Sequence, residues 1–217
     1  MGLPLGVIFD MDGVLVDSEP FICAAAMEMF AQRGVAVKAE DFLPFVGAGE
    51  DRYVGGVAEK YGLEFDPKRD KGRTYDIYDE MIKGKLKPLA GALEMIARCK
   101  EMGKKVAVAS SADRRKVRSN LEAIGLAIDT FDAVVTGEDV ERKKPWPDIF
   151  LLAANKLGLE PGQCLVVEDA VNGIAAAKKA GAKCLAVTTS FGADKLGEAD
   201  WIVKSLAHLP AEVLNWK

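Results

Sequence analysis

Two pairs of acidic residues, far apart along the chain, each follow a short apolar run rich in β-branched residues. Asp10 and Asp12 form the first pair, and Glu168 and Asp169 form the second. Burying carboxylates at a strand end is costly unless a cation accompanies them. If the two runs are neighbouring strands, the acids can share one ion, and ligation by oxygen atoms alone favours Mg²⁺. The sequence therefore predicts a magnesium site built from both pairs.

Two further segments could bind a phosphate group. Ser110 and Ser111 end another apolar run just before a predicted helix, where a hydroxyl and backbone amides can hold a phosphate oxygen. Lys144 lies in an Arg-Lys-Lys-Pro run before a second predicted helix, and its ammonium could neutralise a phosphate dianion. Taken singly, Ser110 could be a simple helix cap and the basic run a solvated surface.

The order of the predicted elements is typical of an open parallel α/β sheet. Short apolar runs predict strands at 5–9, 105–109, 133–135, 164–167 and 183–187. Apolar residues at helical spacing, followed by a closing glycine, predict helices at 113–125, 148–158 and 171–181. Strands that alternate with helices indicate a parallel sheet covered on both faces.

The long interval between the first two strands predicts an inserted helical domain. Helical spacing recurs at 19–34, 50–62 and 67–83. We therefore assign residues 18–85 to a helical insert and residues 1–17 and 86–217 to an α/β core, with hinges near 16–20 and 85–88. The alternative is a single α+β domain in which these helices form no separate unit.

Composition excludes several classes of protein. The chain has 217 residues, of which 49% are hydrophobic, so it can bury a substantial core in one domain with an insert. The net charge of -4 argues against nucleic-acid binding, and no apolar run is long enough for a membrane span. A single histidine, His208, excludes a histidine-rich zinc site and disfavours a Ser-His-Asp hydrolase.

The same features predict where the protein works and in what state. The first residues carry no basic segment, so we expect no secretory signal. The four cysteines form no C-x-x-C pair, which favours a reduced protein in the cytoplasm. We expect no nucleic-acid or membrane partner and a monomer, with a dimer as the alternative.

The motifs FDMDGVL (9–15) and EDAVNGI (168–174), with Ser110 and Lys144 between them in this order, resemble those of the haloacid dehalogenase-like hydrolase superfamily. Within it the chain is most similar to the β-phosphoglucomutase-like group of phosphatases and mutases, which carry a helical cap after the first strand. The resemblance implies a Rossmann-like sheet of five or six strands in the order 3-2-1-4-5. The first and fourth strands are then neighbours.

The resemblance also implies the role of each site residue. Asp10 is the nucleophile that forms an aspartyl-phosphate, and Asp12 is the general acid and then the base. Ser110 and Lys144 hold the transferring phosphoryl group. The implied magnesium ligands are Asp10, the backbone carbonyl of Asp12, Glu168 and Asp169. The candidate substrate-binding residues are Ser111, Asn172, Phe21, Phe45, Glu50 and Arg52.

Two departures from that group favour a phosphatase over a mutase. Ile22 occupies the position of a histidine that helps β-phosphoglucomutases couple closure to proton transfer. The stretch 45–51 is apolar or acidic where they present a basic residue to a second phosphate. The sequence therefore predicts Mg²⁺-dependent hydrolysis of a small phosphate ester, plausibly a sugar phosphate. A phosphomutase and a non-catalytic binding module of the same fold remain the alternatives.

Overall fold

A computed structural model describes residues 5–45 and 49–215, and its centre is a parallel sheet of six strands in the order β3-β2-β1-β4-β5-β6. The strands are β1 Gly6–Phe9, β2 Lys105–Ala109, β3 Ala133–Val135, β4 Cys164–Glu168, β5 Lys183–Val187 and β6 Trp201–Val203. The five predicted strands and their order are confirmed. The sixth strand consists of three apolar residues at the sheet edge, which are only partly buried, and it was not among the strands located from the sequence.

The register of the central strands brings the predicted acidic pairs to the same edge of the sheet. Phe9, the last residue of β1, pairs with Val108 of β2 on one side and with Val167 of β4 on the other. All three strands run parallel, so their carboxyl ends lie side by side. The chain order also reverses beside β1, and the carboxyl edge at such a switch point is where open α/β sheets bind ligands.

Within residues 5–45 and 49–215, seven α-helices flank the sheet or lie in the segment 18–85, which is called the insert below. They are α1 Glu19–Gln32, α2 Glu50–Lys60, α3 Gly72–Ile82, α4 Ala92–Glu101, α5 Arg114–Ala123, α6 Asp148–Leu157 and α7 Val171–Ala180. Helix α4 had no counterpart among the predicted elements, although Met95, Ile96 and Cys99 give it a buried apolar face. The glycines predicted to end helices do so at Gly158 and Gly181, both in the left-handed conformation that glycine adopts most easily.

Each face of the sheet packs against its own helices. On one face Ile8 and Val166 contact α6 and α7 in a small-residue cluster. On the other face Phe9 belongs to a larger cluster that also contains residues of α4 and α5 and, from the insert, Phe30 and Tyr78. The insert therefore shares its hydrophobic core with one face of the sheet. The boundaries 18–85 stay a prediction.

The two chain segments that join core and insert lie next to each other. Val16 forms an antiparallel bridge with Pro88, and the Leu89 amide donates to the Leu15 carbonyl at 2.8 Å. Each of these two connecting segments is therefore held in place by hydrogen bonds to the other. Within the described ranges, no helix combines the length and apolarity needed to cross a bilayer.

Polar contacts between α3 and the region of α5 hold the insert against the core. Lys71, just before α3, forms an ion pair of 2.7 Å with Asp113, just before α5. The Tyr78 hydroxyl donates to the amide oxygen of Asn120, and both residues are fully buried.

Candidate active site

Asp10, Glu168 and Asp169 form one acidic cluster at the carboxyl edge of the sheet. Asp10 directly follows β1, Glu168 ends β4 and Asp169 follows it. One carboxylate oxygen from each residue lies within 4.8 Å of the others, and all three residues are at least 93% buried. Asp10 is therefore brought to Glu168 and Asp169, more than 150 positions away in sequence, because β1 and β4 are hydrogen-bonded neighbours. The carboxylate of Asp12, which the sequence also assigned to this site, is not part of the cluster.

Two glycines make room for these carboxylates. Gly13 has a φ of +79°, and a Cβ atom there would lie 1.9 Å from Oδ2 of Asp169. Gly173, in the first turn of α7, would place a Cβ atom 1.8 Å from Oε1 of Glu168. Any side chain at either position would collide with an acid of the cluster. The glycines of both sequence motifs are thus required by the close approach of the carboxylates.

Lys144 reaches the cluster from the loop before α6. Its Nζ lies 2.5 Å from Oδ1 of Asp10 and 2.5 Å from Oε1 of Glu168, and it donates a longer bond of 3.4 Å to the Ala109 carbonyl. Burial alone would lower the pKa of Lys144, but the two carboxylates hold it above its usual range. Lys144 is therefore a charged ammonium placed where a phosphate bound at Asp10 would carry its negative charge.

Ser110 follows β2 at the same edge of the sheet. It is buried, its amide donates to the Val135 carbonyl at 3.0 Å, and its hydroxyl accepts a bond of 3.1 Å from the Ala112 amide. Next to it, Ser111 is half-buried in the turn that leads to α5, and Asn172 is exposed in the first turn of α7. Lys144 thus contacts Asp10, and Ser110 follows β2, the strand next to β1, whereas Ser111 lies in the following turn and Asn172 in the first turn of α7.

The electrostatics of the cluster favour a bound cation. Burial raises the pKa of Asp10 from 3.8 to about 7, with Lys144 opposing and Glu168 adding to the rise. Burial and the Glu168 carboxylate raise the pKa of Asp169 to about 8. The Lys144 ammonium contacts Asp10 and Glu168 but not Asp169, so three buried carboxylates have one cation among their described contacts. This oxygen-only donor set fits Mg²⁺ in number, type and burial.

The side chain of Asp12 points away from the acidic cluster. The Ser18 hydroxyl donates to its Oδ1, and Nζ of Lys116, on α5, lies 3.0 Å from its Oδ2. Its side chain is 21% exposed, more than any acid of the cluster. Asp12 is thus separate from the three carboxylates that could hold a cation, as a proton-transferring group should be.

The structure describes the side chains of some, but not all, of the candidate substrate-binding residues in the insert. Phe21 is half-buried in α1 and packs against the main hydrophobic cluster. The Arg52 guanidinium lies 5.1 Å above the Phe45 ring and forms a 3.0 Å ion pair with Glu59. Glu50 begins α2, but its side chain and the residues 46–48 lie outside the described part of the chain. Roles for these residues stay predictions.

Sequence reasoning missed three side chains that contact the site acids. The Ser190 hydroxyl donates to Oδ2 of Asp169, and Ser18 and Lys116 contact Asp12. Ser190 follows β5, the strand next to β4, so its position at the carboxyl edge could have been inferred from strand order. Lys116 lies within a strongly charged helix, where no sequence pattern separates it from solvated neighbours.

Comparison with known proteins agrees with this geometry. The model of the haloacid dehalogenase-like hydrolase family matches residues 7–187. Protein SUPPRESSOR OF QUENCHING 1, chloroplastic, from Arabidopsis thaliana is 46% identical over 89% of this chain, which spans 19% of that protein's length. Hexitol phosphatase B from Escherichia coli (strain K12) is 33% identical, over 84% of this chain and 83% of its own length.

A solved structure gives the same result. Crystalline CbbY from Rhodobacter sphaeroides, in complex with phosphate, superimposes with a TM-score of 0.85 at 25% identity and covers 98% of this chain and 99% of its own. The family model alone spans well over half of the sequence. The resemblance read from the two motifs is confirmed, and with it the prediction of a hydrolase. The chain belongs to the haloacid dehalogenase-like hydrolase family.

Proposed function

We propose that the protein is a Mg²⁺-dependent phosphatase of a small phosphorylated metabolite, a sugar phosphate, acting through an aspartyl-phosphate. The observation that carries this proposal is the meeting of Asp10, Glu168 and Asp169 with Lys144 at the carboxyl edge of the sheet. Two relatives support the substrate class: one is named hexitol phosphatase B, and the CbbY structure contains phosphate.

In the first step, a carboxylate oxygen of Asp10 attacks the phosphorus atom of the ester. A bond forms between that oxygen and phosphorus while the bond from phosphorus to the ester oxygen breaks, and Asp12 donates a proton to the leaving oxygen. In the second step, Asp12 takes a proton from water, which attacks the phosphorus of the aspartyl-phosphate. Inorganic phosphate leaves and the Asp10 carboxylate is restored.

An anionic nucleophile can approach an anionic phosphate only if positive charge is close by. Lys144, 2.5 Å from Asp10, supplies one such charge, and the Ser110 hydroxyl is a candidate donor to a phosphate oxygen. The carboxylates of Asp10, Glu168 and Asp169, with the backbone carbonyl of Asp12, would hold Mg²⁺. When bound, the ion supplies further charge compensation for the phosphate oxygens.

Hydrolysis is favoured over mutase activity by Ile22. This side chain is 2% exposed on α1 and cannot take part in proton transfer. A mutase must also retain a doubly phosphorylated intermediate, and the stretch 45–51 is apolar or acidic where mutases of this group present a basic residue to the second phosphate. Incubation with β-glucose 1-phosphate separates the two activities, since a phosphatase yields free phosphate whereas a mutase yields glucose 6-phosphate.

Phosphate release from 4-nitrophenyl phosphate, with Mg²⁺ and with excess EDTA, tests the proposal directly. Activity that requires Mg²⁺ is expected, and a purified, folded protein that releases no phosphate from this ester or from a panel of sugar phosphates would favour the non-catalytic binding module. We also propose a cytoplasmic location and a monomer. The location is supported by the four cysteines, all free thiols, three of which are buried.

A further inference from the structure

The carboxylate of Asp12 is held by two side chains from different parts of the fold. The Ser18 hydroxyl, from the segment before α1, donates to one oxygen, and the Lys116 ammonium, from α5, lies 3.0 Å from the other. Ser18 is fully buried and Lys116 is 2% exposed. Both oxygens of a candidate proton donor are thus held in place by buried groups.

The burial of the Lys116 ammonium is unfavourable by itself and must be compensated by its contacts. Removing an ammonium from water is costly unless a carboxylate and further hydrogen bonds compensate it. Lys116 stands near two acids, Asp12 and Glu19, and its charge partly offsets the rise that burial imposes on the pKa of Glu19. The other basic residues of α5 behave differently: Arg118, for example, is 60% exposed and pairs with Glu122 on the same helix at 3.8 Å. Lys116 alone among these basic residues contacts Asp12.

The backbone around Asp12 is fixed, but its side chain needs a separate support. The Leu15 amide donates to the Met11 carbonyl at 2.9 Å, and the Gly13 amide donates to the Val16 carbonyl at 2.7 Å, so the turn after β1 is closed by its own hydrogen bonds. The side-chain torsions of Asp12 are not determined by these bonds. A general acid must lie within hydrogen-bond reach of the leaving oxygen, so an orienting contact at its carboxylate bears directly on turnover.

We propose that Lys116 is a positioning residue that holds the Asp12 carboxylate in the orientation needed for protonation of the leaving group. This inference rests on the proposed phosphatase function. Lys116 acts through Asp12 and does not itself touch the phosphoryl group, which lies on the Asp10 side of the turn. Removing the Lys116 side chain should therefore lower kcat/KM most for substrates whose leaving oxygen most needs to be protonated.

The test measures kcat/KM over a series of phosphate esters, from 4-nitrophenyl phosphate through phenyl phosphate to an alkyl phosphate. The value of kcat/KM reports steps up to formation of the aspartyl-phosphate, so the second role of Asp12 does not enter. We expect K116M to lose less than about threefold on the nitrophenyl ester and about 10- to 100-fold on the alkyl ester. The loss should fall mainly on kcat, and K116R should restore part of it.

Two variants frame this result. D12N defines the dependence on the leaving group when the acid is absent, and K116M should approach it. K104M is the matched control, since Lys104 is also buried but precedes β2 at the opposite edge of the sheet. For K104M, kcat/KM should depend on the leaving group in the same way as it does for the unmodified protein. Thermal unfolding of each variant establishes that it is folded.

The outcomes separate the inference from the function on which it rests. A K116M profile that is lowered equally for every ester, or is unchanged, overturns the positioning role while the phosphatase remains. An unmodified protein without Mg²⁺-dependent hydrolysis of any of these esters overturns the proposed function and this inference with it. A steeper dependence on the leaving group in the lysine variants supports both.

Discussion

Two groups of buried aspartates in this molecule have opposite electrostatic properties. Asp10 and Asp169 lie at the sheet edge, and burial raises the pKa of each, to about 7 and about 8. Asp41 and Asp70 lie in the insert and have similarly low exposure, 6% and 1%, but they lie nearer the protein surface, and their pKa is held below the usual range. Low solvent exposure alone therefore does not decide the charge state of an aspartate.

The difference lies in the depth of burial and in the hydrogen bonds that each carboxylate accepts. Asp70 accepts hydrogen bonds from Arg33 at 2.9 Å and from Arg69 at 2.8 Å, which outweigh the effect of burial on its pKa. At the sheet edge, by contrast, Asp10 shares the Lys144 ammonium with Glu168. A carboxylate whose charge is balanced within the protein is structural. An excess of carboxylates marks a site built for an external cation.

Replacing the nucleophile should have the largest effect. D10N removes the attacking oxygen but keeps the size of the side chain, so we expect phosphate release to fall by about a thousandfold or more. Mg²⁺-dependent release from 4-nitrophenyl phosphate measures it. D129N, an exposed aspartate in the turn before β3, is the matched control and should keep full activity. Retained activity in folded D10N would refute the assignment of the nucleophile.

Removing one acid of the cluster should weaken magnesium binding. For D169N we expect the Mg²⁺ concentration that gives half-maximal activity to rise by about tenfold or more, since even the outer partners of metal ligands contribute this much. In excess EDTA at alkaline pH, the same variant should unfold at an equal or higher temperature, because it relieves repulsion between buried carboxylates. S190A, which keeps every charge but removes the Ser190 bond, should change the Mg²⁺ requirement less. A metal-free D169N that is clearly less stable would contradict the idea of excess charge.

The corresponding change in the insert should have the opposite effect on stability. D70N leaves Arg33 and Arg69 without their carboxylate, and we expect it to lower the free energy of unfolding by about 1–3 kcal/mol. Because the folded-state pKa of Asp70 is below its unfolded value of about 3.9, its contribution is complete above that pH and is lost as the pH falls through the folded value. Urea unfolding at neutral and acidic pH should therefore show a gap between the two proteins that narrows on acidification. A constant gap would mean that the charge of Asp70 is not what stabilises the insert.

The sequence predicted the sheet and its acidic edge because both depend on local patterns. Apolar runs located the strands, and Asp10 and Asp169 stand directly after two of them. Helix α4 was missed, because it lies between the predicted insert and β2, where only a connection to the next strand was expected. Lys116 could not be predicted, because its contact with Asp12 depends on where tertiary packing places α5 relative to the turn after β1. The positions of the candidate substrate-binding residues in the insert could not be predicted for the same reason.

An exposed ion pair between insert and core should contribute least. Arg115 of α5 donates to Asp79 at 2.7 Å and to Asp76 at 2.8 Å on α3, but its side chain is 38% exposed, so solvent screens both contacts. We expect R115A to lower the free energy of unfolding by less than about 1 kcal/mol, and by less still at high salt. R118A, whose partner lies on the same helix, is the control for general effects on α5. Urea unfolding at two salt concentrations measures both variants. If R115A lowers the free energy of unfolding more than D70N does, contacts between insert and core stabilise the insert more than its own buried ion pairs. The comparison between the two groups of aspartates would then not account for the stability of the insert.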